Sequence, residues 1–342
     1  MNPSGPSALQ KVTVLYTGGT LAMRVGPTGA LEPDAYAHDL LAELPVIGRM
    51  ARIEARVIAN LDSGDMQPAD WVTVAREVHA AVADPTSAGV LVVHGTDTMA
   101  YTASAVAFML GPLPKPVVFT GAQRPLAEAR TDARANLVDG CLLATLPVPE
   151  VGIAFASRFH RAVRATKRDA WALDAFDSPN CPCLVDLGLG EAIAAHVRPP
   201  SPLAELDARL DERVLAIRVF PGLDPAALLR ALTSGVRGIV LEGYGTGNLP
   251  HLAGSLIPVL EEAARREVPV LVVSQCLRGT VDLPRYAGGA AAALAGAISG
   301  RDMTVEAAIA KTMIALGRYS RFDDVRAFLG RDVAGELTLT SA

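Results

Sequence analysis

Cysteine is scarce in this chain of 342 residues: Cys141, Cys181, Cys183 and Cys276 are too few and too scattered for a disulfide-stapled scaffold. Cys181 and Cys183 flank a single proline, which is not the two-residue spacing of a zinc ribbon, so buried or idle thiols are the expected reading. Charge is sparse too. Only 20% of the residues are Asp, Glu, Lys or Arg, and their balance of −5 leaves no cationic excess for a general nucleic-acid binder. No uninterrupted apolar stretch reaches the ~18 residues of a membrane span. The small and polar residues from Met1 to Lys11 do not resemble a secretory signal. A reducing, cytoplasmic setting without membrane or nucleic-acid partners is the expectation. Hydrophobic residues, by contrast, make up 50% of the chain and predict a large core. At ~150 residues per domain, the length predicts about two domains.

Short Val- and Ile-rich runs alternate with segments of helical period, the pattern of parallel strands joined by crossover helices. Val12 to Tyr16, Val90 to Val93, Val117 to Thr120 and Val151 to Phe155 read as buried strands; Trp71 to Ala83, Met99 to Leu110 and Ala133 to Leu143 read as helices. From His196 to Arg213 the pattern lapses into a proline-rich, charged linker. Strand-like runs resume at Val214 to Val219, Gly238 to Leu241 and Val268 to Val273, with helices from Pro225 to Leu232, Ala253 to Arg265 and Thr304 to Leu316. The small-residue stretch Gly288 to Gly296 reads as a tightly packed helix. The fold class predicted is α/β, with a doubly wound, mainly parallel sheet in an N-terminal catalytic domain (1–195), a linker (196–213) and a smaller α/β C-terminal domain (214–342).

The first strand runs into Thr17-Gly18-Gly19-Thr20, and the strand from Val90 runs into His94-Gly95-Thr96-Asp97-Thr98. Glycines at the carboxyl ends of strands allow a sharp turn and a close approach to a ligand, and open α/β sheets bind ligands at that edge. Phosphate-loop spacing is absent, and so is the Gly-x-Ser-x-Gly elbow of a serine hydrolase. Thr20, Thr96 and Asp97 also suit ordinary turns and helix caps. Function gains weight because two strands of one sheet deliver hydroxyl groups to the same edge. A threonine hydroxyl needs a neighbouring base to become a nucleophile, and a partly buried lysine beside a carboxylate is one such base. Lys167 is the candidate, within a run that also holds Arg158, Arg161, Arg164 and Arg168; as a bare charge run, this reads as a solvated face. Ser63, Gly64 and Asp65 lie in a loop before a helix near Pro68, where a hydroxyl and exposed N–H groups suit either a turn or a carboxylate clamp.

Taken together, YTGGTLAM (Tyr16 to Met23), LDSGDM (Leu61 to Met66), VVHGTDTMAYTASAVAFML (Val92 to Leu110), TGAQRP (Thr120 to Pro125) and RATKRDAWALDAFDSPN (Arg164 to Asn180) resemble the bacterial L-asparaginases. The pattern is most similar to the cytoplasmic type I branch. The likeness continues in order through GYGTGN (Gly243 to Asn248), SQC (Ser274 to Cys276) and GRDMTVEAAIAKT (Gly300 to Thr312). The resemblance implies cofactor-free, metal-free hydrolysis of L-asparagine to L-aspartate and ammonia through a threonine acyl-enzyme. It implies Thr20 as nucleophile, with Thr96, Asp97 and Lys167 as the hydroxyl, carboxylate and amine of a second triad. It also implies Ser63 on the substrate carboxylate and Asp97 on its ammonium, with further contacts from Gly19, Gly64, Asp65, Gly95 and Ala122. Asn248 would come from a neighbouring protomer of a homodimer or homotetramer.

Two positions depart from the pattern. Ala30 stands where relatives carry a lid tyrosine, with Tyr36 as the substitute on offer, and Glu242 stands where allosteric relatives carry an arginine. Three other readings follow: a glutaminase-asparaginase, a catalytically weak amino-acid binder because of Ala30, and a component of an amidotransferase acting on misacylated tRNA.

Overall fold

The computed structural model describes residues 9–25, 31–33 and 45–338. Ala30 and Tyr36 lie outside the described residues, so the expectations for the lid tyrosine concern a segment beyond them. The chain divides into two compact units, 1–178 with 182–206, and 179–181 with 207–342.

In the first unit the described residues form an eight-stranded sheet: β1 (Lys11–Gly18), β2 (Arg52–Leu61), β3 (Ser87–Val93), β4 (Val117–Thr120), β5 (Val151–Phe155), β6 (Arg158–Arg161), β7 (Val185–Leu187) and β8 (Glu191–Ile193). The spatial order is β8-β7-β6-β5-β4-β3-β1-β2. Strands β2-β1-β3-β4-β5 are mutually parallel, and β6, β7 and β8 complete the other side as antiparallel neighbours. Every residue of β1 is buried, as expected of a strand covered on both faces. Chain order reverses across β1, whose neighbours are β2 and β3, which makes the β1/β3 edge the topological switch point.

Helix α1 (Pro68–Ala83) starts where Pro68 suits the first turn and the Asp70 carboxylate accepts the Gln67 backbone N–H at 2.8 Å. It buries Trp71, Val74, Val78 and Val82. Helix α2 (Met99–Leu110) is apolar on every side and buried almost throughout. Helix α3 (Ala133–Leu143) packs Leu137, Cys141 and Leu143 into the core with Val14, Leu91 and Val118. Strand β2 carries no uniform apolar run because it is an edge strand whose residues alternate between exposed and half-buried. The cationic run is not a solvated face either: Arg161 and Arg164 are buried, and Arg161 forms a doubly bonded ion pair with buried Glu150 at 2.5 and 2.9 Å.

The second unit holds a four-stranded parallel sheet, β9 (Val214–Arg218), β10 (Gly238–Gly243), β11 (Val270–Ser274) and β12 (Ile298–Ser299), in that order. Helices α4 (Pro225–Thr233), α5 (Ile257–Arg265), α6 (Ala287–Leu294), α7 (Val305–Arg318) and α8 (Phe322–Gly330) follow in sequence. Gly288 and Gly289 let α6 approach the backbone at Leu249 and Leu283, where a Cβ would collide. Glu242 on β10 pairs across the sheet with Arg218 on β9, their charged groups 3.6 Å apart. No helix among the described residues is long and apolar enough to cross a membrane.

A buried ion pair fastens the end of this unit. Lys311 and Glu336, both 0% exposed, lie 2.6 Å apart. Lys311 also donates to the carbonyls of Leu329 and Arg331, while Glu336 accepts the N–H groups of Val333 and Ala334. Burial pulls the Lys311 pKa below its ordinary value, and Glu336 opposes that pull. Lys311→Met would strand a buried carboxylate, a loss of about 3–5 kcal/mol. Urea unfolding of the second unit should therefore shift to a clearly lower midpoint in Lys311→Met, and an unchanged midpoint would contradict this assignment.

Candidate functional site

Four strand ends meet at the switch point, and glycines set how closely. Gly18 and Gly19 have φ of +119° and +97°, conformations that L side chains avoid. A Cβ at Gly18 would collide with the Leu61 backbone, one at Gly19 with the backbone of Gly95, and one at Gly95 with the side chain of Ser63. The ends of β1, β2 and β3 are thereby held in direct contact. A Cβ at Gly121, after β4, would likewise meet the His94 carbonyl. The Thr17 hydroxyl reinforces the edge by donating to the Val93 carbonyl at 3.1 Å.

Thr20 opens a short 3-10 turn directly after this glycine pair, and among the described residues its hydroxyl makes no hydrogen bond. Thr96 is 5% exposed and follows Gly95. Neither Thr96 nor Asp97 is spent as a helix cap. The N-cap of α2 is Thr98, which makes no side-chain cap bond and instead donates its hydroxyl to the Ser63 carbonyl at 2.8 Å.

Lys167 reaches the same edge from a two-stranded ribbon in which Thr166–Lys167 pairs with Phe176–Asp177. Its Nζ donates to Thr96 Oγ1 at 2.8 Å and to Asp97 Oδ1 at 2.6 Å. The lysine side chain is 18% exposed and the aspartate 69%, so the cluster has an inner wall and an open mouth. Its basic neighbour Arg168 is neutralised by Asp174 at 2.7 Å and by Asp177 at 3.6 Å.

Ser63 is buried against Gly95, whereas Gly64 and Asp65 are exposed in a 3-10 turn capped by Asp62, whose carboxylate accepts the Gly64 N–H at 3.0 Å. Ala122 is buried after β4. The structure thus brings Gly19, Ser63, Gly95, Thr96, Asp97 and Lys167 into one cluster of loops. Asn248 belongs to the second unit, where its Oδ1 is buried without a hydrogen-bond partner among the described residues.

Sequence reasoning missed Gln123. Its Oε1 accepts the Thr96 hydroxyl at 3.1 Å, and its Nε2 donates to the carbonyls of Ala170 and Ala172 at 3.3 and 3.2 Å. Its place in the TGAQRP motif, just after a strand of the same sheet, is the signal the sequence carries. A cavity of about 390 Å³ opens beside it, lined by Gln123, Arg124, Arg130, Ala170, Trp171 and Leu173, on the Gln123 side of the lysine cluster. Among the described residues no group of three His, Cys, Asp or Glu side chains is arranged to hold a metal ion.

Both domains match known family descriptions: residues 11–200 match "Asparaginase, N-terminal" and residues 213–329 match "Glutaminase/Asparaginase C-terminal domain". The chain is similar to the L-asparaginase of Thermococcus kodakarensis, 40% identical over 96% of this chain and 99% of that one. It is also similar to one component of the Glutamyl-tRNA(Gln) amidotransferase of Pyrococcus abyssi, 36% identical over 98% of this chain and 78% of that one. The crystal structure of L-asparaginase I from Vibrio cholerae superposes with a TM-score of 0.88 at 34% identity, covering 97% of this chain and all of the other.

His94 stands behind the cluster, fully buried, with Nδ1 on the Gly95 carbonyl at 2.7 Å and, among the described residues, no hydrogen-bond partner at Nε2. Burial pushes its pKa from an ordinary 6.5 down to about 4. Burial does the same to His160, also to about 4. Above pH 6.5 both rings are neutral in folded and unfolded chains alike. As pH falls from 6.5 towards 4, only the unfolded chain takes up protons, and stability is lost by about 3 kcal/mol for each histidine. Urea unfolding at pH 7 and at pH 4.5 should show this loss, and His160→Leu should remove about half of it. An unchanged pH dependence in that variant would rule His160 out as a contributor.

Proposed function

Because the chain belongs to the asparaginase family, we propose that it hydrolyses L-asparagine to L-aspartate and ammonia, with Thr20 as nucleophile and Lys167, Asp97 and Thr96 as a proton relay. The observation that carries this reading is the pair of bonds from Lys167 to Thr96 and Asp97, made at the edge where the Gly19 backbone abuts Gly95. Thr20 Oγ attacks the side-chain amide carbon, the C–N bond breaks, and the acyl-enzyme is then cleaved by water to release aspartate. The proton lost by Thr20 balances the proton gained by the departing nitrogen: the amine form of Lys167 accepts it by way of the Thr96 hydroxyl and then returns it to the nitrogen. Backbone N–H groups near Thr96 oppose the charge that develops on the amide oxygen.

The ends of the substrate need opposite charges. Asp97 is open to solvent and suits the α-ammonium, while the Ser63 hydroxyl suits the α-carboxylate, and Gly19, Gly64, Asp65, Gly95 and Ala122 line the space between. Glutamine differs by one methylene, a difference that a pocket discriminates by only about 1–3 kcal/mol, so some glutaminase activity accompanies this reading. The functional unit in this proposal is a cytoplasmic homodimer or homotetramer in which Asn248 serves a neighbour's site. Exposed Phe220, Leu252, Leu277, Tyr286 and Leu294 in the second unit support such an assembly.

Ammonia release from asparagine and glutamine tests the chemistry. Thr20→Ala should lose turnover by about 10⁴-fold or more, and Lys167→Met by about 10²–10⁴-fold in kcat with a much smaller change in KM. Undiminished activity of Thr20→Ala would remove it as nucleophile, and equal losses in kcat and binding for Lys167→Met would reduce the lysine to positioning. Sedimentation should show a dimer or tetramer; a monomer that retains full activity would exclude a shared site.

A further inference from the structure

We infer that Thr98 is a positioning residue that sets the length of substrate the site accepts, by tying the turn that carries Ser63 to the turn that carries Thr96 and Asp97. The inference rests on the proposed asparaginase chemistry and adds to it a determinant of chain length. The two turns follow different strands, β2 and β3, and the Thr98 hydroxyl crosses between them by donating to the Ser63 carbonyl at 2.8 Å. Among the described residues, every other hydrogen bond of residues 62–66 stays local. The Gly64 N–H donates to the Asp62 carboxylate, the Asp65 N–H to the Asp62 carbonyl, the Met66 N–H to the Ser63 carbonyl and Gln67 Nε2 to the Asp65 carbonyl. Thr98 therefore supplies the polar link between this turn and another element. It does so in place of a local role, because it stands at the N-cap of α2 without capping it.

Packing leaves the linked turns no slack. Ser63 is 3% exposed, and a Cβ on Gly95 would fall 2.5 Å from Ser63 Oγ, so the hydroxyl of the carboxylate clamp lies directly against the Gly95 backbone. In the proposed reaction the substrate α-carboxylate rests at Ser63, while its side-chain amide must reach Thr20 and the relay at Thr96. A packing contact through Gly95 and a hydrogen bond through Thr98 hold Ser63 to the Thr96 turn, which fixes the separation between clamp and relay. Asparagine and glutamine have the same charged ends and the same amide, and differ by one methylene, so that separation is what tells them apart. Without the Thr98 hydroxyl the Ser63 turn keeps its local bonds but is released to move away from Gly95. The longer substrate then gains at the expense of the shorter.

The test is the ratio of kcat/KM for asparagine to kcat/KM for glutamine, read from ammonia release. Thr98→Val keeps the branched shape and removes the hydroxyl. The ratio should fall by about tenfold, the lower end of what a site distinguishes for one methylene, chiefly through a higher KM for asparagine with its kcat within about threefold. Thr98→Ser keeps the hydroxyl and should hold the ratio within about twofold of wild type. Where glutamine turnover is too slow to measure, the ratio of competitive inhibition constants for L-glutamate and L-aspartate replaces it. Loss of folded enzyme lowers both substrates equally and leaves the ratio untouched; if Thr98→Val does not fold, Thr98→Ala, which also lacks the hydroxyl, is read in its place. An unchanged ratio in the hydroxyl-free variant, or an equal fall in Thr98→Ser, overturns the inference. Wild type and Thr20→Ala are run alongside. An active wild type, an inactive Thr20→Ala and an unchanged ratio in Thr98→Val sink only the role of Thr98, whereas a wild type inactive on both amides sinks the reaction and the inference with it.

Discussion

The Lys167 side chain is where the proposed site closes. It meets two oxygens of one turn, Thr96 at 2.8 Å and Asp97 at 2.6 Å, across about 70 residues of sequence. As a stabilising contact it is weak: with Asp97 69% exposed, such a pair contributes about 0–1 kcal/mol. An interaction of that size does not hold a loop in place by itself. The position of the ammonium comes instead from the ribbon that carries it, from the Arg168–Asp174 pair beside it and from the amide of Gln123 on the loop beyond. A weak contact surrounded by stronger supports is what a site needs when its charged groups must exchange protons and partners.

The same economy governs the glycine-lined edge. The switch point between β1 and β3 places two strand ends side by side; Gly19 and Gly95 let their backbones touch, and Gly18 lets β1 approach Leu61 at the end of β2. Side chains there would separate the hydroxyl-bearing turns, so packing and chemistry make the same demand. Helix α2 shows the accompanying cost. Its first turn has no side-chain cap, although Thr96, Asp97 and Thr98 stand directly before it, because their polar atoms face Gln123, Lys167 and the Ser63 carbonyl. A cap is worth about 1 kcal/mol. Its absence beside a buried hydroxyl cluster is a local rule broken where the proposed site lies.

Much of this was legible in the sequence. The inner strands of both sheets are continuous apolar runs because both faces are covered, and apolar runs ending in Thr-Gly-Gly-Thr or His-Gly-Thr-Asp-Thr marked the edge. Strand β2 was not legible, because an edge strand with half-exposed, charged positions has no such run. The short antiparallel strands β6 to β8 carry too few residues for any periodicity. Lys167 did not stand out from its cationic neighbours by composition; only the pairing of Thr166–Lys167 with Phe176–Asp177 and the contact with Thr96 separate it from them. Gln123 was silent for a different reason. A single carboxamide after a strand has no distinctive chemistry until its acceptor and donors are known.

The fate of those cationic neighbours bears on the choice of substrate. Five positive residues in eleven suggest a surface for a polyanion, and the Pyrococcus abyssi relative is named for glutamyl-tRNA(Gln). In the folded unit Arg161 is buried on Glu150, Arg164 is buried, Arg168 sits between Asp174 and Asp177, and Arg158 lies 3.5 Å from Asp174. Each paired cation has an acidic partner, so little uncompensated charge remains to draw in a phosphate backbone. What the edge offers instead is one exposed carboxylate, one amine already in partnership with it, and buried hydroxyls a few ångströms away. That arrangement is matched to a molecule that carries both charges on a small frame, a free amino acid, and it reconciles an acidic chain with a zwitterionic substrate.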